Sequence, residues 1–194
     1  PERGVQVIDL EGLARHRGSL FGAMGAQPSQ RMFEGRLAMA LSALDPTRPV
    51  LIEAESAKVG DCRLPPALWK AMTTAPRIAL VAPVAERAAY LTRAYADVTD
   101  DPARLTATLD RLRPFHPAER IERWQALAAT GGFATLAAEL VEHHYDPRYR
   151  KHRARAVVPV TDLAAPSLAP AALPGLADRL AATLNALPQP KGAA

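Results

Sequence analysis

Four short β-branched runs set the fold open to this chain: Val5–Leu10, Val50–Glu53, Ile78–Ala82 and Ala156–Val160. The first three are mostly continuous apolar runs, not strictly alternating ones. That pattern suits strands covered on both faces, as in a parallel sheet flanked by helices. Helical periodicity fills the spaces between them. Ser29 can cap a helix running to about Leu44, with Phe33, Leu37, Ala40, Leu41 and Leu44 on one face before Asp45-Pro46 ends it. Shorter helical patterns cover 66–73 and 84–96. The strand–helix rhythm predicts an α/β fold.

After Asp100 the strand signal stops. Residues 101–144 read as two or three helices broken at Pro114, Pro117 and Gly131-Gly132. Ile121, Trp124 and Leu127 form one apolar stripe; Phe133, Leu136, Leu140 and Val141 form another, and both read as core. An Ala/Pro-rich linker is predicted from Asp162, then a last amphipathic helix through Leu176, Leu180, Leu184 and Leu187. The expected organisation is an α/β domain over 1–100, a helical extension with a basic end over 101–155, and a last strand, linker and helix over 156–194.

Composition narrows the function classes. Hydrophobic residues make up 48% of the 194, enough for a core, but aromatics are only 5%, so Leu, Val, Ile and Ala must fill it. No stretch approaches the roughly 20 apolar residues of a membrane span. The single cysteine, Cys62, excludes an internal disulfide and a multi-thiolate metal site, and a reducing cytoplasm is the simplest setting. Net charge is +4, and the segment His143–Arg155 holds all of it: Arg148, Arg150, Lys151, Arg153 and Arg155 against Asp146. Such concentration fits a polyanion footprint. The plainer alternative is a solvated basic face complementing a helix C-terminus.

Three constellations can carry chemistry. The run PVLIEAES brings Glu53, Glu55 and Ser56 to the end of an apolar strand, where parallel sheets bind ligands. Two carboxylates there can hold Mg²⁺ directly or through water, or orient a nucleophile; the alternative is a carboxylate paired with a neighbouring Arg. The second is Asp9 to Ser19. Asp9 and Glu11 sit at or past a strand end, and His16-Arg17-Gly18-Ser19 supplies a cation, backbone freedom and a hydroxyl for phosphate. An ordinary turn with a surface Arg reads the same way. The third is HHYDPRYRKHR, where Tyr145 and Tyr149 could stack on bases while Arg148, Arg150, Lys151 and Arg153 grip phosphates. The adjacent His143 and His144 diverge on a helix and make a poor metal pair. Cys62 has no base nearby in sequence and is not expected to be a nucleophile.

Taken together, the HRGS-x-FG block, the E-x-ES strand end, the LP-x-x-x-W step and the YDP-x-Y ending resemble the C-terminal portion of tRNA 2-selenouridine synthase, over roughly Val5 to His152. The resemblance implies a P-loop-like parallel sheet flanked by helices. It also implies work on the wobble uridine of tRNA anticodons. A 2-thiouridine receives a geranyl group from geranyl diphosphate, and selenium from selenophosphate then replaces the thio-geranyl group. On this reading Glu53, Glu55 and Arg17 are catalytic, His16, Arg17, Gly18, Ser19 and Ser56 meet phosphate, and Glu53 is a possible Mg²⁺ ligand. The Tyr145–Arg153 segment would receive the anticodon arm. Two departures matter. The family has a basic residue after the E-x-ES serine, where this chain has Ala57 and then Lys58. Neither the rhodanese domain, with its cysteine, nor the glycine-rich phosphate loop is found in this sequence.

P-loop domains of the nucleoside-kinase type place their first strand in the middle of the sheet. Without it, Val50–Glu53 and Ile78–Ala82 lose a shared neighbour and their backbone groups lose partners. The sheet should then show a gap, collapse across it, or need further residues. Two rival functions remain open: a non-catalytic tRNA-binding fragment, and a nucleoside-kinase-like phosphotransferase. The last needs a GxxxxGK[ST] motif that the sequence lacks.

Overall fold

The computed structural model describes residues 2–54, 56–154 and 158–187, with backbone alone for 151–154. In chain order the first elements are β1 (Gln6–Ile8), α1 (Leu10–Ala14), α2 (Gln30–Ser42), β2 (Val50–Ile52), β3 (Lys58–Val59), β4 (Cys62–Arg63), α3 (Pro66–Thr74) and β5 (Arg77–Val81). Then come α4 (Val84–Ala94), α5 (Ala96–Thr99), α6 (Pro102–Asp110), a 3-10 turn at Arg113–Phe115, α7 (Ala118–Ala129) and α8 (Phe133–Leu140). A π-helical turn at Val141–Tyr145, α9 (Asp146–Ala154), β6 (Val160–Ala164), a 3-10 turn at Pro170–Ala172 and α10 (Leu173–Ala186) follow. The chain divides into two compact units, one of Pro1–Leu80, Val157–Leu163 and Leu173–Ala194, the other of Val81–Ala156 and Ala164–Ala172.

The first unit is α/β. β1 and β2 run parallel with Gln6 opposite Val50, Val7 opposite Leu51 and Ile8 opposite Ile52. β5 pairs with β6. The Arg77 N–H donates to Pro159 and the Ala165 N–H to Val81, so these strands also run in one direction. Among the described residues no strand joins β2 to β5, so the sheet is broken at the expected gap. The consequence is visible in burial. Apolar residues that read as covered on both faces are open to solvent, with Leu80 50% and Val81 48% exposed. Ile8, Leu10, Ala14, Phe33, Leu37, Val59, Cys62 and Leu64 are buried together, with Trp69 and Met72 packed against them.

Local chemistry accounts for the elements. The Ser29 hydroxyl accepts from the Met32 N–H and starts α2, as the sequence predicts. The buried stripe of α2 is narrower than its apolar pattern, because Phe33 and Leu37 are buried while Leu41 is exposed. Two expectations are corrected. Gly60-Asp61-Cys62-Arg63 is not a loop: β3 and β4 form an antiparallel hairpin that turns at Gly60-Asp61 and buries Cys62. The last strand is Val160–Ala164, not 156–160; its pairing with Arg77–Val81 pulls in residues that read as linker, and 155–157 lie outside the described residues.

The second unit is built from helices. Asp101 caps α6 at the Arg104 N–H, with Pro102 in the first turn, where its missing donor costs nothing. Pro117 opens α7, and the Gly131-Gly132 pair separates it from α8. Leu105, Leu109, Leu112, Ile121, Trp124, Leu136 and Val141 are buried, so both predicted stripes are core. No helix among the described residues is long and apolar enough to cross a membrane.

Candidate functional site

Register builds the first site. Continuing the β1–β2 pairing one step past Ile8 and Ile52 sets Asp9 opposite Glu53 at the carboxyl ends of two parallel strands. Both carboxylates turn to the start of α1. Asp9 Oδ1 accepts from the Gly12 N–H at 2.7 Å, and Glu53 Oε2 accepts from the Leu10 N–H at 3.0 Å. A β-carbon at Gly12 would run into the Asp9 carboxylate, so this close approach needs glycine. Burial pushes the Glu53 carboxyl above its usual range. The Leu10 N–H opposes that shift, and the hydrogen bond and charge of Asp9 add to it. The sequence pointed to Glu53 with Glu55; the structure pairs Glu53 with Asp9, and Glu55 lies outside the described residues.

The His16–Ser19 turn leaves the other end of α1. The helix is five residues long and closes at Arg15 in a left-handed conformation (φ +52°), so one short element separates the carboxylates from this turn. The loop closes on itself. The Arg17 N–H donates to Gly22, the Gly22 N–H to Ser19, the Ser19 N–H to Arg17, and the Gly18 N–H to His16 Nδ1 at 3.1 Å. Gly18 has φ +66°, a conformation that glycine takes without strain. The amides of Arg17, Gly18 and Ser19 thus donate within the loop. Burial holds the His16 imidazole below its ordinary pKa, against the pull of Asp61.

Gln27, which sequence reasoning missed, ties these pieces together. Its Nε2 donates to the Ala14 carbonyl at 2.9 Å and to Val59 at 3.3 Å, while its Oε1 accepts from the Asp61 N–H at 2.7 Å. The Ser56 hydroxyl accepts from the Lys58 N–H and donates to the Lys58 carbonyl, which closes the turn before β3. Lys58, the cation that follows Ala57, meets Asp61 at 3.3 Å. Burial raises the pKa of the Cys62 thiol, which fits its expected lack of a nucleophilic role.

In the second unit the basic segment is helical. Arg87 holds Asp146, at the start of α9, through two bonds of 3.0 and 2.6 Å. Tyr149, Arg148 and Arg150 are exposed. Tyr145 is partly exposed, with a buried hydroxyl and its ring in a T-shaped contact with that of His144. The side chains of Lys151 and Arg153 lie outside the described residues. The sequence missed what lies under Arg148. Its guanidinium sits 4.6 Å from the Phe115 ring centre and hydrogen-bonds the buried His144 ring. His116 Nε2 lies 2.9 Å from the Nδ1 atom of that ring. Burial, then the charge of Arg148 and the His116 neighbour, lower the His144 pKa to about 4. Among the described residues no group of three or more His, Cys, Asp or Glu is arranged to hold a metal.

Comparison with known proteins gives these features a lineage. The family described as tRNA 2-selenouridine synthase AAA domain matches residues 2–120. The chain is 34% identical over 169 residues to a tRNA 2-selenouridine synthase of Chromohalobacter salexigens, covering 74% of this chain and 46% of that protein. It is 35% identical over 180 residues to one of Alcanivorax borkumensis, covering 76% and 49%. With that of Marinobacter nauticus it shares 30% over 171 residues, covering 73% and 47%. The chain thus spans about half the length of these curated relatives. No solved structure matches it significantly. The chain belongs to the tRNA 2-selenouridine synthase family.

Proposed function

We propose that this chain supplies the diphosphate-handling and tRNA-gripping parts of a tRNA-modifying transferase. The enzyme would convert wobble 2-thiouridine to 2-selenouridine through an S-geranylated intermediate, with geranyl diphosphate and selenophosphate as donors. The observation that carries this reading is the Asp9–Glu53 carboxyl pair at parallel strand ends, one short helix away from the His16–Ser19 loop. In the geranyl step a sulfur–carbon bond forms as the carbon–oxygen bond to diphosphate breaks. The leaving diphosphate needs cationic partners in a site where they need not reorganise. Arg17 is assigned that role, with His16 and Ser19 beside it.

Mg²⁺ uses one or two carboxylates and completes its shell with water and phosphate oxygens, so the Asp9–Glu53 pair fits it. When bound there, the ion would take up charge on the diphosphate. The exposed Arg148, Tyr149 and Arg150 of α9 would contact the anticodon arm. The deciding experiment is Arg17→Ala in the full-length enzyme, assayed for geranyl transfer and for tRNA binding. Geranylation should be lost while tRNA still binds; turnover at the wild-type rate removes Arg17 from the site. A non-catalytic tRNA-binding role would show as tRNA affinity without affinity for geranyl diphosphate.

A further inference from the structure

Phe115 is 60% exposed, the most open aromatic apart from Tyr149 among the large exposed side chains of the second unit. Its position is nevertheless fixed. Pro114 sits within the 3-10 turn, and the Phe115 N–H donates to Leu112 at 2.9 Å. The next residue, His116, is locked inward with its ring 4.8 Å from that of buried Trp124 and a hydrogen bond to His144. Arg148 lies over one face of the Phe115 ring at 4.6 Å, and its guanidinium is held by the same His144. An apolar ring open to water gains nothing from burial. Here one buried histidine, His144, and one half-buried histidine, His116, hold an exposed ring and a cation in one stacked arrangement. The π-helical turn at Val141–Tyr145 turns His144 into the core beneath them, and such turns recur at functional sites.

We infer that the Phe115–Arg148 stack is the stacking step for an unpaired RNA base, with Arg148 and Arg150 meeting the flanking phosphates. This rests on the tRNA reading above and adds to it a base-contacting residue outside the basic segment. A base needs a flat π-face and a nearby cation for its phosphate, and both are set here before RNA arrives. A paired duplex hides its base faces, so the stack discriminates single-stranded from double-stranded RNA.

The test measures affinity of the purified protein for two RNAs with the same number of phosphates: a stem–loop with an unpaired loop, and a continuous duplex. Phe115→Leu keeps the apolar bulk at an exposed position and removes the π-face. It should weaken stem–loop binding about tenfold, leave duplex binding unchanged, and leave the salt dependence of both unchanged. Phe115→Trp should restore stem–loop affinity. Arg148→Gln should reduce the slope of log affinity against log salt by roughly one phosphate contact. Unchanged stem–loop binding by Phe115→Leu, or an equal loss on both RNAs, overturns the stacking inference alone. If the wild-type protein binds neither RNA, the tRNA reading falls and takes this inference with it.

Discussion

Lowering the pH from 7.5 to 5 should destabilise the helical unit through His144. The imidazole is 6% exposed and its pKa falls from an ordinary 6.5 to about 4. The sign follows from which state takes the proton. Below pH 6.5 the unfolded chain protonates His144, whereas the folded chain resists until about pH 4. The stability tied to the neutral ring is therefore whole above 6.5, drains away as pH falls, and is gone below about 4. Integrated to pH 5, that difference has a ceiling of about 2 kcal/mol. Solvent screens the charge of exposed Arg148, which lowers the expected loss to about 1–2 kcal/mol. His116 moves in the same direction, through burial first and then the charges of Arg120, Arg148 and His143. Trp124 packs on His116 and reports the event by fluorescence, given a Trp69→Phe background. Unfolding free energies from urea titrations at the two pH values should differ by that amount in the parent. In a His116→Gln, His144→Gln double variant most of the difference should vanish. An undiminished pH dependence in the double variant, or stability that rises on acidification, would refute the argument.

Two further predictions concern the α/β unit. Burial raises the Glu53 pKa, so its contribution is present below its ordinary value of 4.5 and is lost as pH rises through the folded value. Glu53→Gln, which keeps an acceptor for the Leu10 N–H, should be at least as stable as the parent at pH 7.5, while Glu53→Leu strands that donor at a cost of about 1–3 kcal/mol; thermal melts that rank the two the other way would contradict the pairing. Gln27→Ala removes bonds to Ala14, Val59 and Asp61 and should cost about 2 kcal/mol, with faster hydrogen exchange at the Asp61 amide as the local signature.

What the sequence disclosed was local. Ser29, Pro117 and the Gly131-Gly132 pair mark helix boundaries because caps and breakers act within a turn of their own position. The three early strands were legible as apolar runs, and the break between β2 and β5 is one of the three outcomes that the family resemblance left open. Elements that depend on distant partners were not legible. α1 is five residues long and starts where Asp9 meets the amide of Gly12 and the Glu53 carboxylate meets the amide of Leu10, 43 residues before it. The β3–β4 hairpin has two residues a side, too few to show alternation. β6 takes its register from β5, so its composition alone did not identify it.

The site residues divide along the same line, and the division explains which candidates need a partner to act. Glu53 was visible because strand ends are visible, but its raised pKa comes from burial and from Asp9, which reaches it only through parallel register. Arg148 was visible as charge. Its fixed orientation comes from Phe115 and from a His116–His144 contact spanning 28 residues of sequence. In both cases the sequence supplied the ionisable group and the fold supplied the neighbour that sets its state. A lone carboxylate or arginine on an open surface is hydrated, mobile and weak. Paired across strands, or stacked on a fixed ring, the same group gains a defined charge and direction before any ligand arrives, and that is the condition under which it can favour one phosphate or one base over the surrounding water.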